Sequence, residues 1–218
     1  SQIQIQGGSP VQNRARSNDI EKLTREGLLA LLPLYRKGAS RSIIFTLKGK
    51  HPDPRGVPWL VEKLSSYYSI NLPELRRHCG RLLGLGHHIS LPLSGSLVLL
   101  PVKVRQATVP GETTTGFINL LQVERILPPP ETVPVAGEDT PIWLSRILFK
   151  CGLQIKTLNT PETLQGRLRQ GETVLQDFLR RQNQGRSFAG LSRKELLEQL
   201  PNCDCVLKEM FIRMLGLG

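Results

Sequence analysis

No stretch of this 218-residue chain carries the roughly 18 uninterrupted apolar residues that a bilayer-spanning helix needs. Arg, Lys, Gly or Pro breaks every apolar run sooner, so a membrane protein is not expected. Aromatic residues make up 5% of the chain, and no helical stretch sets a lysine-rich face against an aromatic one, which argues against an anchor lying on a lipid surface. Cysteine is scarce too. Cys79, Cys151, Cys203 and Cys205 are too few for a disulfide scaffold at this length, and no secretory signal opens the sequence. Reduced thiols in a cytoplasmic protein are the expectation. Cys203-Asp204-Cys205 has C-x-C spacing and no histidine beyond it, so no metal is expected there.

Catalytic signatures are also missing. There is no phosphate-binding G-x-x-x-x-G-K-[ST] loop, no H-E-x-x-H and no G-x-S-x-G. A metal nuclease needs clustered carboxylates, whereas Asp53, Glu112, Glu124, Asp139 and Asp177 are scattered. Neither an enzyme nor a bound cofactor is expected.

The absence that organises the reading is local. From Leu75 to Gly111 there is no acid, yet Arg76, Arg77, Arg81, Lys103 and Arg105 are present with His78, His87 and His88. A second acid-free window lies between Glu26 and Asp53, and holds Arg36, Lys37, Arg41, Lys48 and Lys50. With Lys plus Arg at 29 against 18 acids, the formal net charge is +11. A surface with so few internal counter-ions should attract a polyanion, phosphate being the commonest. The competing readings are a solvated basic face that only keeps the protein in solution, and a protein-interaction module whose charge is incidental.

What is present reads as an α+β protein: a mostly antiparallel β domain bearing helices, followed by a helical C-terminal region. Residues 1–18 are rich in Gln, Gly, Ser and Asn and predict a flexible arm. Residues 19–127 form the basic, β-rich domain. Within it, Gly27 to Lys50 predicts two strands around a basic turn, Trp59 to Tyr68 and Leu72 to Leu83 predict helices, and Gly80 to Ile126 predicts strands cut by turns at Ser94-Gly95 and Pro110-Gly111. Valine alternating with Lys103 and Arg105 predicts both cations on one face. Trp59, Tyr67 and Tyr68 are candidates for stacking on bases, though such residues more often serve a core. Residues 128–139 predict a Pro-rich linker, and 140–218 a helical region. There Thr140-Pro141 and Thr160-Pro161 each combine a cap with Pro at the first helical position, and Ser192 to Glu195 has capping-box spacing. The Leu200-Pro201-Asn202 junction allows a helix-turn-helix, with a thin recognition surface.

These residues resemble the ComK family of competence transcription factors. Leu31-Leu32-Pro33, a turn at Gly38 and Ser40-Arg41-Ser42-Ile43-Ile44 resemble that family's N-terminal hairpin. Gly80-Arg81 is similar to its "Y-x-G-R" turn, with His78 where Tyr is usual. Gly86 to Leu91 resembles "S-H-K-x-P-I", Leu99-Leu100-Pro101 resembles "F-F-P-T", and Gly116-Phe117-Ile118-Asn119 resembles "C-x-W-I-S" before Val123. The likeness covers about residues 28–126. Thr115, Phe117 and Val102 depart from the family's Cys, Trp and Thr.

The resemblance implies a sequence-specific transcription activator that reads A/T-rich double-stranded DNA through the minor groove. It also implies a homo-oligomer whose turnover is regulated through a proteolytic adaptor protein. The DNA contacts expected are Arg36, Lys37, Arg41, Arg76, Arg77, Arg81, His87, His88, Lys103 and Arg105.

Overall fold

The structure, a computed structural model, describes residues 19–36, 39–107, 109–129 and 143–184. The chain divides into two compact units, residues 1–179 and 180–218, and the second is described only over 180–184. The architecture is α+β: a six-stranded antiparallel sheet, a three-stranded antiparallel sheet and helices. The arm at 1–18, the helices expected beyond 184, the helix-turn-helix junction and the Cys203-Cys205 pair lie outside the described residues, as do Lys37 and Gly38.

A short helix α1 (residues 19–25) leads into β1 (Leu28–Arg36), β2 (Ala39–Thr46) and β3 (Gly49–Asp53). Leu28 to Leu31 is buried without alternation because β1 lies inside the six-stranded sheet, ordered β3-β2-β1-β6-β5-β4. Pro33 lacks an N–H, yet sits within β1 opposite Ser42. It is tolerated because β6 pairs β1 only at Ala30 and Leu31, leaving Pro33 with a neighbour on one side. Gly116 of β6 marks the close crossing of these strands, since a Cβ there would lie 2.7 Å from the Leu31 carbonyl oxygen. The expected two-strand reading holds, with the chain after Lys48 adding β3 as a third strand.

Two helices then carry the chain from the β3 edge to the β4 edge. In α2 (Val57–Tyr67), Pro58 stands in the first turn and Val57, Leu60, Val61 and Leu64 are buried at helical spacing. Its end is marked by Ser69 at φ 57°. Burial holds the Tyr68 phenol above its ordinary range, against the opposing hydrogen bonds to Ser94 and Thr24. In α3 (Leu72–Leu83), the Asn71 side chain accepts from the Glu74 N–H at 3.2 Å, Pro73 fills the first turn, and Gly84 at φ 66° closes the C-terminus. Leu72, Leu75, Cys79 and Gly80 form the buried stripe, which turns Arg76, Arg77 and Arg81 outward.

The remaining strands of the large sheet are β4 (Leu91–Ser94), β5 (Leu97–Lys103) and β6 (Thr115–Asn119). Leu97 to Val102 is buried on both faces. A 3₁₀ turn at Leu120–Gln122 leads to β7 (Val123–Leu127).

Beyond this point the structure corrects the expected helix through Trp143 and Leu148. The segment is β8 (Ser145–Phe149), followed by β9 (Gln154–Thr157), and together with β7 they form the small sheet in the order β7-β8-β9. Trp143, Leu144, Ile147 and Leu148 fit a helical repeat, but Ser145, Ile147 and Phe149 fit a period of two and are the buried set. Pairing with β7 decides between them, and Gly152 at φ 84° makes the turn. The Pro-rich stretch therefore connects two hydrogen-bonded neighbours of one sheet.

The Thr160-Pro161 signal does open a helix, α4 (Pro161–Gln184), with the Thr160 hydroxyl accepting from the Thr163 N–H at 3.3 Å. Gly171 lets α4 approach the large sheet, for a Cβ there would meet Leu100 Cδ2 at 2.5 Å and Leu120 Cδ2 at 3.1 Å.

Candidate nucleic-acid interface

Strand register determines which of the expected cations meet. Arg41 lies opposite Leu34 and Arg36 opposite Ala39. Pro101 lies opposite Phe117, and Phe117 opposite Leu31, so the ends of β1 and β5 and the starts of β2 and β6 point the same way. Leu91 opposite Leu99 adds the start of β4. Arg36, Arg41, Lys103 and Arg105 thus share one end of the large sheet with His87 and His88, which immediately precede β4. Lys48 and Lys50 sit at the opposite end, beside the turn that joins β2 to β3. Arg81, in the last turn of α3, leads through Gly84 to Ser90 into the same basic end, while Arg76 and Arg77 stand about one turn further back.

Not all ten expected contacts are equally free to meet an anion. Arg77 is bonded to Glu74 at 2.5 Å. Arg105 is paired with the buried Glu112 carboxylate and lies 5.8 Å from the Tyr35 ring centroid. Each acid stands immediately outside the acid-free window, where a count within the window misses it. β5 ends at Lys103, and beyond it the Val104 N–H still donates to the Thr114 carbonyl. Val102 and Val104 are buried while Lys103 is exposed and Arg105 half-buried, so the alternation persists and the second cation is engaged by Glu112. Among the described residues Arg41, Arg76, Arg81 and Lys103 are exposed and form no ion pair. The Arg36 backbone closes the β1–β2 pairing, and Lys37 lies outside the described residues.

Sequence reasoning missed Arg167 of α4. It stands three residues after buried Leu164, on the apolar face that also carries Gly171 and Leu175, and lines a small space with Leu100, Val102, Ile118 and Ile147. Its Nη1 donates to the Pro101 carbonyl. Burial lowers its proton affinity, and no carboxylate among the described residues offsets this. An arginine inside the apolar repeat of a helix was the available signal.

The Lys103 backbone is held from both sides. Its N–H donates to Asn159 Oδ1 at 2.7 Å, and its carbonyl accepts from Leu158 N–H at 2.8 Å and the Thr157 hydroxyl at 2.9 Å. His88, at φ 54°, keeps an exposed surface. The protein packed beneath its ring, then Arg167, His87 and Lys103, push its proton affinity below the ordinary imidazole value. Arg167, His87 and Lys103 thus act on the His88 ring from α4, its own loop and β5.

No family model, no curated protein and no solved structure matches this chain. The interface has to be read from its own chemistry.

Elsewhere, a groove of about 640 Å³ is lined by Leu23, Glu26, His51, Asp53, Arg55 and Trp59, among others. Glu26 Oε2 lies 3.0 Å from His51 Nε2, and the Thr46 hydroxyl lies 3.4 Å from that same nitrogen. A nucleophile relay needs the carboxylate and the hydroxyl on different ring nitrogens, so this trio does not form one. No group of three or more His, Cys, Asp or Glu side chains among the described residues could hold a metal ion. Trp59 is covered by Arg55 at 4.0 Å, Tyr68 is half-buried, and Tyr67 is 43% exposed. Of the three aromatic residues weighed for base stacking, Tyr67 is therefore the most available. No helix among the described residues is long and apolar enough to cross a membrane.

Proposed function

We propose that this protein is a DNA-binding transcription regulator of the ComK type, reading A/T-rich duplexes through the minor groove with the basic end of its large sheet. The observation that carries the reading is the meeting of both acid-free windows at that end. Two of the acids at that end, Glu112 and Asp53, are already engaged by Arg105 and Arg55. What remains is an excess of cations on a rigid frame, and such an excess attracts a phosphate backbone. A narrowed A-tract minor groove concentrates negative potential and accepts inserted arginines, so it would supply selectivity without base-edge hydrogen bonds. The resemblance adds activation of transcription, self-association and turnover through an adaptor protein; none of these involves catalysis or a cofactor.

The test is fluorescence anisotropy on an A-tract duplex, a G/C duplex and an RNA duplex at two salt concentrations, with a minor-groove-binding drug as competitor. Tight, salt-sensitive binding that favours the A-tract and yields to the drug is expected. Equal binding to all three would reduce the surface to non-specific charge, and absence of binding would overturn the reading. Combining Arg81→Ala with Lys103→Ala should weaken binding about tenfold or more at moderate salt and flatten the salt slope by about one unit per lost phosphate contact.

A further inference from the structure

We propose that Arg167, Lys103 and His88 form one phosphate seat at this interface, with the Arg167 guanidinium as its fixed floor. The inference rests on the nucleic-acid reading above and adds a residue outside the basic windows.

The three side chains come from α4, β5 and the loop before β4, and the register of β4 against β5, with Leu91 opposite Leu99, brings that loop beside the end of β5. Guanidinium offers five N–H donors, and the one bond described here goes to the Pro101 carbonyl. Among the described residues no carboxylate meets the remaining donors, and the side chain lines a small space together with Leu164, Leu168 and Val102. Arg167 is half-buried, and a guanidinium in such a place is well suited to a matching anion. We infer that this anion comes from outside the protein. The Lys103 backbone is fixed to Thr157, Leu158 and Asn159, immediately before α4 begins, so the strand that carries the ammonium and the helix that carries the guanidinium share one frame.

His88 gives the seat a proton dependence. The charged groups that act on its ring are His87 from its own loop, Lys103 from β5 and Arg167 from α4. Asp177, the acid further along α4, is engaged by His78 of α3 at 2.7 Å. With cations on these sides, His88 of the free protein holds its proton less tightly than ordinary imidazole. A seated phosphate reverses the local field and favours the imidazolium. The sign follows directly: the complex binds a proton more tightly than the free protein, so affinity rises as pH falls through the bound value and levels off below the free value. One residue can contribute at most about tenfold per pH unit.

The experiment measures the affinity of the full chain for an A-tract duplex between about pH 7.5 and 5.5, together with the His88 imidazole titration by NMR in free protein, with duplex and with inorganic phosphate alone. Wild-type affinity should rise on acidification, and His88→Asn, chosen because Asn tolerates the left-handed backbone, should abolish that rise. Arg167→Met keeps the apolar stem; it should weaken binding about tenfold and let the free His88 proton affinity rise. If this variant fails to fold, Lys103→Gln serves the same comparison.

Duplex binding that is independent of pH, or whose pH dependence survives His88→Asn, would overturn the seat and leave the DNA reading intact. Folded Arg167→Met protein with unchanged affinity would do the same. No binding to any duplex, with inorganic phosphate still raising the His88 proton affinity, would keep an anion seat and remove the DNA reading. No binding to any duplex together with no effect of phosphate on His88 would remove both.

Discussion

Arg105 and Arg81 look alike in the sequence and should behave oppositely when removed. Arg105→Ala deprives the buried Glu112 of its cation and should destabilise the fold by about 2 kcal/mol, read as a lowered urea midpoint. Arg81→Ala should leave that midpoint unchanged and lower only DNA affinity. Asp53 makes the same point from the acid side. Burial opposes its ionisation, but the hydrogen bonds and charge of Arg55 outweigh burial and hold the carboxyl below 3.8. Its stabilising contribution is present above that ordinary value and is lost as pH falls through the lower, folded one. Asp53→Asn should therefore flatten the acid limb of a stability-against-pH curve. Ser90 offers a contrary case: its buried hydroxyl has no hydrogen-bond partner among the described residues, so Ser90→Ala should raise stability by about 1 kcal/mol. Cations could be located from the sequence, but their counter-ions could not, because Glu74 and Glu112 flank the acid-free window and reach into it through a helix turn and a loop.

Among the elements, those marked by local chemistry were the most legible. Asn71, Pro73 and Gly84 bracket α3 at its expected bounds, and Thr160-Pro161 opens α4. The segment Ser145–Phe149 was misread because its apolar spacing satisfies two periods, and only the partner strand β7 distinguishes them. Arg167 was overlooked for a related reason: a cation within an apolar helix stripe acquires meaning only once the carbonyl it reaches, that of Pro101, is known. Gly171 was likewise silent as a sequence feature. Its substitution with valine should destabilise the fold by about 2 kcal/mol or more, seen as a lower melting temperature, because the branched side chain would collide with Leu100 where α4 meets β5.

For the whole molecule, the fold brings part of each acid-free window, Arg41 from one and Lys103 from the other, to one end of the large sheet. Lys48 and Lys50 belong to a window but lie at the opposite end. Replacing both by glutamine should leave affinity for an A-tract duplex within about twofold, whereas the same loss of charge at Arg41 and Lys103 should weaken it about tenfold or more. An equal effect from the two pairs would mean that the protein answers to total charge and that its geometry is irrelevant to binding. The α+β class and the antiparallel character were readable from periodicity. The strand order was not, because the return of β6 beside β1 is a long-range pairing that no local pattern announces.

The pairing of β7 with β8 across the Pro-rich connection also bears on how the chain could be divided. Neighbouring strands hold their partners through the ladder and the packing beneath it, so the pairing of β7 with β8 should survive a cut in the chain between them. A specific protease site inserted there should yield, after cutting, two fragments that migrate together on a sizing column and part only in denaturant. The same two fragments, produced separately and mixed, would then serve as a reporter that regains its folded state by reassociation.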